Sequence, residues 1–154
     1  VDLVKIAYPI AGIPEEDVLG RFRWYADLYD PQTIIRLTGD CPLLDPQVCD
    51  LVLARYQMGD VDYASNVWPR RTWPDGLDCE VFSRQALDEA FAHATSAPDR
   101  EHVTPWMQYN LKCGSVELPV DWSWVRLTLD TLEDLEWLRQ CVMAPRNLVT
   151  TTRG

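Results

Sequence analysis

The sequence predicts an α/β sandwich built around a largely parallel or mixed sheet. β-Branched, apolar stretches alternate along the chain with segments of helical periodicity. Helix starts are marked repeatedly by a capping residue with proline or acids close behind it. The chain has 154 residues, enough for one domain with a substantial core. It reads as a single domain over 1–154, with no linker, repeat array or low-complexity stretch.

Taken in order, residues 2–8 alternate loosely and suggest a short strand. Pro14-Glu15-Glu16 opens a helix that runs to Tyr29, places Val18, Phe22, Tyr25 and Ala26 on one face, and stops at Asp30-Pro31. TIIRLTGD (33–40) is β-branched and apolar, the pattern of a buried strand. Asp45-Pro46 is an N-cap with proline at the first helical position, and the helix behind it stacks Val48, Leu51, Val52 and Tyr56. VDYASN (61–66) and LDCEVF (77–82) read as strands on either side of a Trp-, Pro- and Arg-rich loop. Ser83 caps a helix with Leu87, Ala90, Phe91 and Ala94 on its apolar face. Pro98 separates that helix from one starting near Asp99 and interrupted at Pro105. SVELPV (115–120) and WVRLTLD (124–130) read as strands, and Thr131 with Asp134 resembles a capping box opening a helix that ends at Pro145.

Composition narrows the function. A hydrophobic fraction of 47% with 25% charged residues excludes disorder and coiled coil. No apolar run is long enough to span a bilayer, and the acid and lysine within VDLVKIAYPIAG argue against a secretory signal, so a cytoplasmic chain is expected. Fourteen basic against 24 acidic residues give a net charge of −10, a field that repels nucleic acid. The five cysteines are odd in number and far apart, neither a disulfide framework nor a zinc pattern. Gly-rich phosphate loops of the GxGxxG or GxxxxGK[ST] type are absent.

The most informative feature is a local echo. RLTGD (36–40) and RLTLD (126–130) each place an aspartate just past an expected strand. The carboxyl ends of strands form the ligand crevice of open α/β sheets. If the two strands are neighbours, Asp40 and Asp130 can share a divalent cation, since magnesium takes one or two carboxylates and completes its shell with water and phosphate oxygens. Both aspartates also suit turns or caps. A second cluster, Asp75, Asp78 and Glu80, surrounds a Pro-Asp-Gly turn. Asp75 is first a turn residue, while Asp78 and Glu80, two apart on a strand, are either solvated acids or acceptors for sugar hydroxyls. A third, Arg100-Glu101-His102, is either a charged helix end or a set of contacts to an anionic substrate. Cys41 and His102 are a formal Cys–His pair without a local signature for nucleophilic catalysis.

RLTGDCPLLD (36–45), DYASN (62–66), RTWPDGLDCEVFS (71–83), REHVTPWM (100–107) and VRLTLDTLEDLEWL (125–138) occur here in the order in which similar segments occur in cytidylyltransferases. Over about 13–140 the chain resembles the spore coat polysaccharide biosynthesis protein F type, which is related to the acylneuraminate and 3-deoxy-manno-octulosonate enzymes. The resemblance implies a nucleotide-diphospho-sugar transferase (GT-A-like) fold, an αβα sandwich with a mixed sheet. It implies Mg²⁺-dependent transfer of CMP from CTP to an acidic or amino sugar with release of pyrophosphate. Asp40 and Asp130 stand where such enzymes bind Mg²⁺, and Asp75, Asp78, Glu80, Arg100 and His102 fall in segments that line the sugar side. It identifies no general base. The family's first βα unit, whose loop cradles the CTP triphosphate, has no match in residues 1–12. The fold is therefore expected in truncated form, inactive alone or with its exposed sheet edge covered in a homodimer. A non-catalytic sugar- or nucleotide-binding or assembly module, or a glycosyltransferase using a nucleotide sugar, is the alternative.

Overall fold

The computed structural model describes residues 9–143; the expected strand at 2–8 and the stop at Pro145 lie outside them. Helix α1 is Val18–Tyr29. Its start is set by Asp17, whose carboxylate accepts the Gly20 N–H at 2.9 Å, rather than by Pro14, which begins a turn closed by Asp17 N to Pro14 O. Asp30 ends the helix in the left-handed conformation, its N–H on the Ala26 carbonyl. Strand β1 is Thr33–Arg36, half the expected length, with an alternating burial pattern. Among the described residues it pairs only with β3, so it is an edge strand and not a buried one: Ile35 remains 43% exposed.

Helix α2 is Pro46–Gln57, capped by Asp45 as the sequence predicts. It buries Val48 and Val52 and packs Cys49, Leu53 and Tyr56 beside them, while Leu51 faces outward. Strands β2 (Tyr63–Ser65), β3 (Glu80–Ser83) and β4 (Cys113–Ser115) complete a sheet of order β1-β3-β2-β4. β3 is antiparallel to β1 and β2, and β2 is parallel to β4, so the sheet is mixed. Helices α3 (Arg84–His93), α4 (Ala97–His102), α5 (Pro105–Asn110) and α6 (Leu132–Met143) follow. Ser83 caps α3 through the Ala86 N–H. Ser96 caps α4, so Pro98 lies in the first turn of that helix and does not separate it from its neighbour.

Successive residues of a strand point to opposite faces, and the two faces carry separate cores. Tyr63 and Phe82 pack with Leu19 of α1, Leu87 and Ala90 of α3 and Met107 of α5. Ala64 and Val81 pack with Cys79 and with Val52 of α2. Helices on both sides of a mixed sheet make the αβα sandwich that the sequence predicts. Removing a side chain such as Phe82 from water contributes about 1.5–3 kcal/mol.

Of the two final expected strands, 115–120 is displaced toward the N-terminus as β4, which ends at Ser115 with the Val116 N–H on the Ser65 carbonyl at 3.0 Å, and 124–130 forms no strand and has a single parallel bridge, Asp75 to Arg126. This segment spans two loops instead of lying against a strand, so its N–H groups go to isolated carbonyls: Leu127 to Asp75 and Leu129 to Asp40.

Candidate functional site

The site is assembled where β1 ends. After Arg36 the chain turns through Thr38 and Gly39, with Cys41 N–H on the Thr38 carbonyl at 3.3 Å and the Thr38 hydroxyl 3.0 Å from the Cys41 sulfur. Burial pushes the Cys41 thiol pKa up, and the Asp40 charge adds to this. The Asp40 carbonyl accepts the Leu129 N–H at 2.8 Å. One backbone hydrogen bond thus joins the RLTGD and RLTLD segments. On the other side, Asp75 N–H donates to Val125 O at 2.9 Å and Leu127 N–H to Asp75 O at 2.6 Å. Gly76 permits this approach: its φ is +102°, and a Cβ there would stand 2.6 Å from the Leu127 carbonyl carbon. Thr128, inside the seam, has a buried hydroxyl with no hydrogen-bond partner among the described residues.

Two arginines tie the carboxylates around this seam. Arg71 holds Asp78 through two bonds of 2.6 and 2.7 Å and lies 3.4 Å from Asp75. The Asp78 hydrogen bonds raise its pKa. Arg126 reaches Asp130, Asp134 at 3.3 Å and Asp75 at 3.8 Å. Arg126 also holds the Asp134 carboxyl well below the usual carboxylate range, helped by the N–H groups of Asp130 and Thr131 at 3.0 and 2.9 Å. Thr131 returns the bond to Asp134 N–H at 3.2 Å, the reciprocal capping box that the sequence predicts. Exposed ion pairs of this kind are screened by solvent and add little stability; their collective effect is to fix where the carboxylates stand.

Glu80 is placed differently. It is buried, at 4% exposure, directly across the ladder from Arg36, with which it forms an ion pair. Its Oε1 accepts the Tyr63 and Thr104 hydroxyls, each at 2.6 Å, and Gln108 donates to the Tyr63 oxygen at 3.1 Å. Burial and the Glu80 charge drive the Tyr63 pKa far upward. Thr104 reaches Glu80 through a strained γ-turn in which Val103 has φ 72° and ψ −51° and Thr104 N–H meets His102 O at 2.8 Å.

No family model matches the chain, but individual proteins do. It is 34% identical to an uncharacterised protein of Methanocaldococcus jannaschii over 79% of this chain and 51% of that one. It is 33% identical to the spore coat polysaccharide biosynthesis protein SpsF of Bacillus subtilis over 88% of this chain and 58% of that one. A solved cytidylyltransferase from Leptospira borgpetersenii superposes with a TM-score of 0.76 at 33% identity, over 82% of this chain and 55% of the other. The chain belongs to the cytidylyltransferase family. It spans between half and three-fifths of the length of the relatives it matches. A molybdopterin-guanine dinucleotide biosynthesis protein A from Archaeoglobus fulgidus, at 12% identity and a TM-score of 0.53, shares the fold alone.

Within this cytidylyltransferase-family chain, the structure brings Asp40, Asp75, Asp78 and Asp130 to one seam. Glu80 follows Asp78 by two residues but points away from the seam carboxylates, pairing with Arg36 of β1. Arg100 is turned to the far flank, where Asp17 takes it at 2.9 and 2.6 Å and its guanidinium lies 4.7 Å over the Phe91 ring. Burial opposes ionisation of Asp17, but the Arg100 and Gly20 hydrogen bonds outweigh it and lower the carboxyl pKa. His102 is exposed at the end of α4, and Cys41, whose contacts are Thr38 and Asp40, has no bond to it. All five cysteines are free thiols, and no group of three or more His, Cys, Asp or Glu converges on a metal position among the described residues. No helix there is long and apolar enough to cross a membrane. Sequence reasoning missed Arg36, Arg71, Tyr63, Thr104 and Arg126 as organising residues. Only the placement of Arg36 and Arg126 at the head of the two echoed motifs signalled two of them.

Proposed function

We propose that the seam between residues 38–41 and 125–131 is a metal–nucleotide site, and that this chain takes part in transferring CMP from CTP to a sugar with release of pyrophosphate. The observation that carries the reading is the Leu129–Asp40 hydrogen bond, which sets two aspartate-bearing segments side by side at the end of β1. Membership of the cytidylyltransferase family supports it.

Asp40 and Asp130 would hold Mg²⁺. The donor set fits: magnesium takes one or two carboxylates and fills the rest of its shell with water and phosphate, and Asp40 is half-buried and Asp130 exposed, both open to solvent. The buried Thr128 hydroxyl within the seam is a further oxygen with no hydrogen-bond partner among the described residues. The bound ion would neutralise phosphate charge. The chain's own contribution is positional. Arg126 orients Asp130, and Arg71 orients Asp75 and Asp78, which we assign to the sugar side. Glu80, its oxygens already engaged, fixes Arg36 and through it the course of β1 into Asp40. Arg100 and His102 are given no role in this reading. In the reaction, the sugar hydroxyl oxygen bonds to the α-phosphorus of CTP and gives up its proton to solvent, as the bond to the β-phosphate oxygen breaks and pyrophosphate leaves with that oxygen.

The test is pyrophosphate release from CTP with a panel of sugars, with and without Mg²⁺. The reading predicts Mg²⁺-dependent release with at least one sugar, lost in Asp40→Asn and in Asp130→Asn. Release unaffected by either substitution contradicts it, as does saturable binding of UDP- or GDP-sugars in preference to CTP. CTP binding without release would mark a binding module.

A further inference from the structure

The two arginines that tie the seam use their donors differently. Arg71 commits both terminal nitrogens to the Asp78 carboxylate, at 2.6 and 2.7 Å. Arg126 engages its acids along one edge of the guanidinium. Its Nε donates to Asp134 Oδ1 at 3.4 Å, and its Nη2 donates to Asp134 Oδ2 at 3.3 Å and to Asp130 Oδ2. Its Nη1 makes no hydrogen bond among the described residues. The ion contact of that nitrogen is Asp75 Oδ2 at 3.8 Å, too long for a hydrogen bond. A guanidinium is planar, with its N–H donors in a fixed fork, so Nη1 cannot turn to Asp134 while Nε and Nη2 hold it. The Arg126 side chain is 49% exposed and stands on the wall of a cavity of about 360 Å³, where solvent and ligands reach it. Asp130 is engaged by Arg126 through Oδ2 alone. A carboxylate has about four lone-pair sites, so its Oδ1 stays available to a cation while Arg126 keeps its bond.

We propose that Arg126 is a phosphate-binding residue of the seam, its Nη1 donating to a phosphate oxygen of the nucleotide while its Nη2 holds Asp130. The proposal rests on the metal–nucleotide reading above and deepens it. Shape and charge choose the ligand class. The planar fork of arginine matches the oxygens of phosphate. Asp75, Asp130 and Asp134 surround this one guanidinium in a chain of net charge −10, so an anion arriving alone is repelled. It is held there only together with a cation that offsets those carboxylates, and Asp130 is the group that Arg126 and the cation would share. A polyphosphate meets both conditions, because it binds magnesium and keeps anionic oxygens to spare for the guanidinium. A neutral sugar hydroxyl offers the fork no charge. Arg126 thereby couples metal to nucleotide, and each should bind weakly without the other.

Inorganic pyrophosphate carries the polyphosphate chemistry without base or sugar and isolates this contact. Equilibrium dialysis of pyrophosphate and of CTP, each with and without excess Mg²⁺, is compared among wild type, Arg126→Gln, Arg126→Lys and Glu133→Gln. Binding of Mn²⁺ alone, followed by electron paramagnetic resonance, reports separately on the carboxylates. We expect wild type to retain both phosphate ligands only with Mg²⁺. Arg126→Gln should weaken both by roughly tenfold to a hundredfold, the effect of one hydrogen bond between charged groups, while Mn²⁺ still binds. Arg126→Lys should recover part of that loss. Glu133→Gln removes an acid of the same cavity wall that makes no bond to Arg126, and it should weaken neither ligand. Equal affinity in Arg126→Gln and wild type overturns the proposal, as does pyrophosphate binding that needs no metal. Loss of Mn²⁺ binding in Arg126→Gln overturns it too, since Arg126 would then only orient Asp130. Metal-dependent pyrophosphate binding through Arg126 without CTP binding would support the proposal and contradict the transfer reading; binding of neither ligand by wild type would overturn both.

Discussion

The two sides of this molecule solve the problem of a polar group near the sheet in opposite ways. Around β3, Glu80 lies within the sandwich and four polar side chains turn inward to it: Arg36 across the ladder, Tyr63, Thr104 and, through Tyr63, Gln108. Around the Asp40–Leu129 seam the carboxylates are half-buried or exposed, tied by arginines at the surface, and the backbone between them has a single bridge in place of a ladder. A buried charge that is completely satisfied is suited to holding one arrangement. Carboxylates held in place yet open to solvent are suited to exchanging partners with a ligand. The first region should therefore govern stability and the second ligand response.

The sharpest way to break this contrast is to remove Glu80. Glu80→Ala leaves Arg36 without its partner and should cost about 3–5 kcal/mol, measured by chemical denaturation. A loss no larger than that of an exposed ion pair would mean the network is not what holds β1 to β3. Next in size is Gly76→Ala, which must widen the approach to Leu127 and force a side chain into φ +102°. Strain of that kind costs about 1–3 kcal/mol, and ligand-induced stabilisation should fall more than the fold itself. An unchanged response would show that the 75–127 contact does not shape the site.

The smallest expected effect concerns Asp134. Arg126 and two N–H groups hold its carboxyl pKa below that of an unfolded chain, about 3.9. Stability from this source is complete above the unfolded value and is lost as the pH falls through the lower, folded one. Asp134→Asn should lower the melting temperature at neutral pH and flatten its decline below about pH 4. Parallel acid profiles for the two proteins would contradict this.

These contrasts also explain what was legible in the sequence. The sandwich, the caps at Asp45 and Ser83 and the reciprocal Thr131–Asp134 pair follow from local chemistry, and each is in place. The echoed aspartates were visible as an echo, but their adjacency depends on one non-local hydrogen bond that no periodicity encodes. β-Branched composition makes 124–130 look like a strand, yet among the described residues no neighbouring strand lies alongside to complete a ladder, and propensity yields to tertiary context. Glu80 looked like a surface acid because alternation places it two residues from Asp78. Asp78, however, precedes β3 and pairs with Arg71, while Glu80 lies within the ladder opposite Arg36. The sequence offers Arg100 and His102 as either a charged helix end or contacts to an anionic substrate, a choice that depends on the non-local pair by which Asp17 holds Arg100 beside α1.

The central claim, that Asp40 and Asp130 form a metal-dependent nucleotide site, is tested most directly by thermal stability with CTP and Mg²⁺ together and with each alone. A ligand at a hundredfold excess over its Kd stabilises the fold by roughly 2.7 kcal/mol. The account predicts a shift of that order requiring both components, absent in Asp40→Asn and Asp130→Asn and retained in Glu133→Gln. A cooperatively folded protein that shows no shift, or the same shift with either aspartate removed, would contradict it.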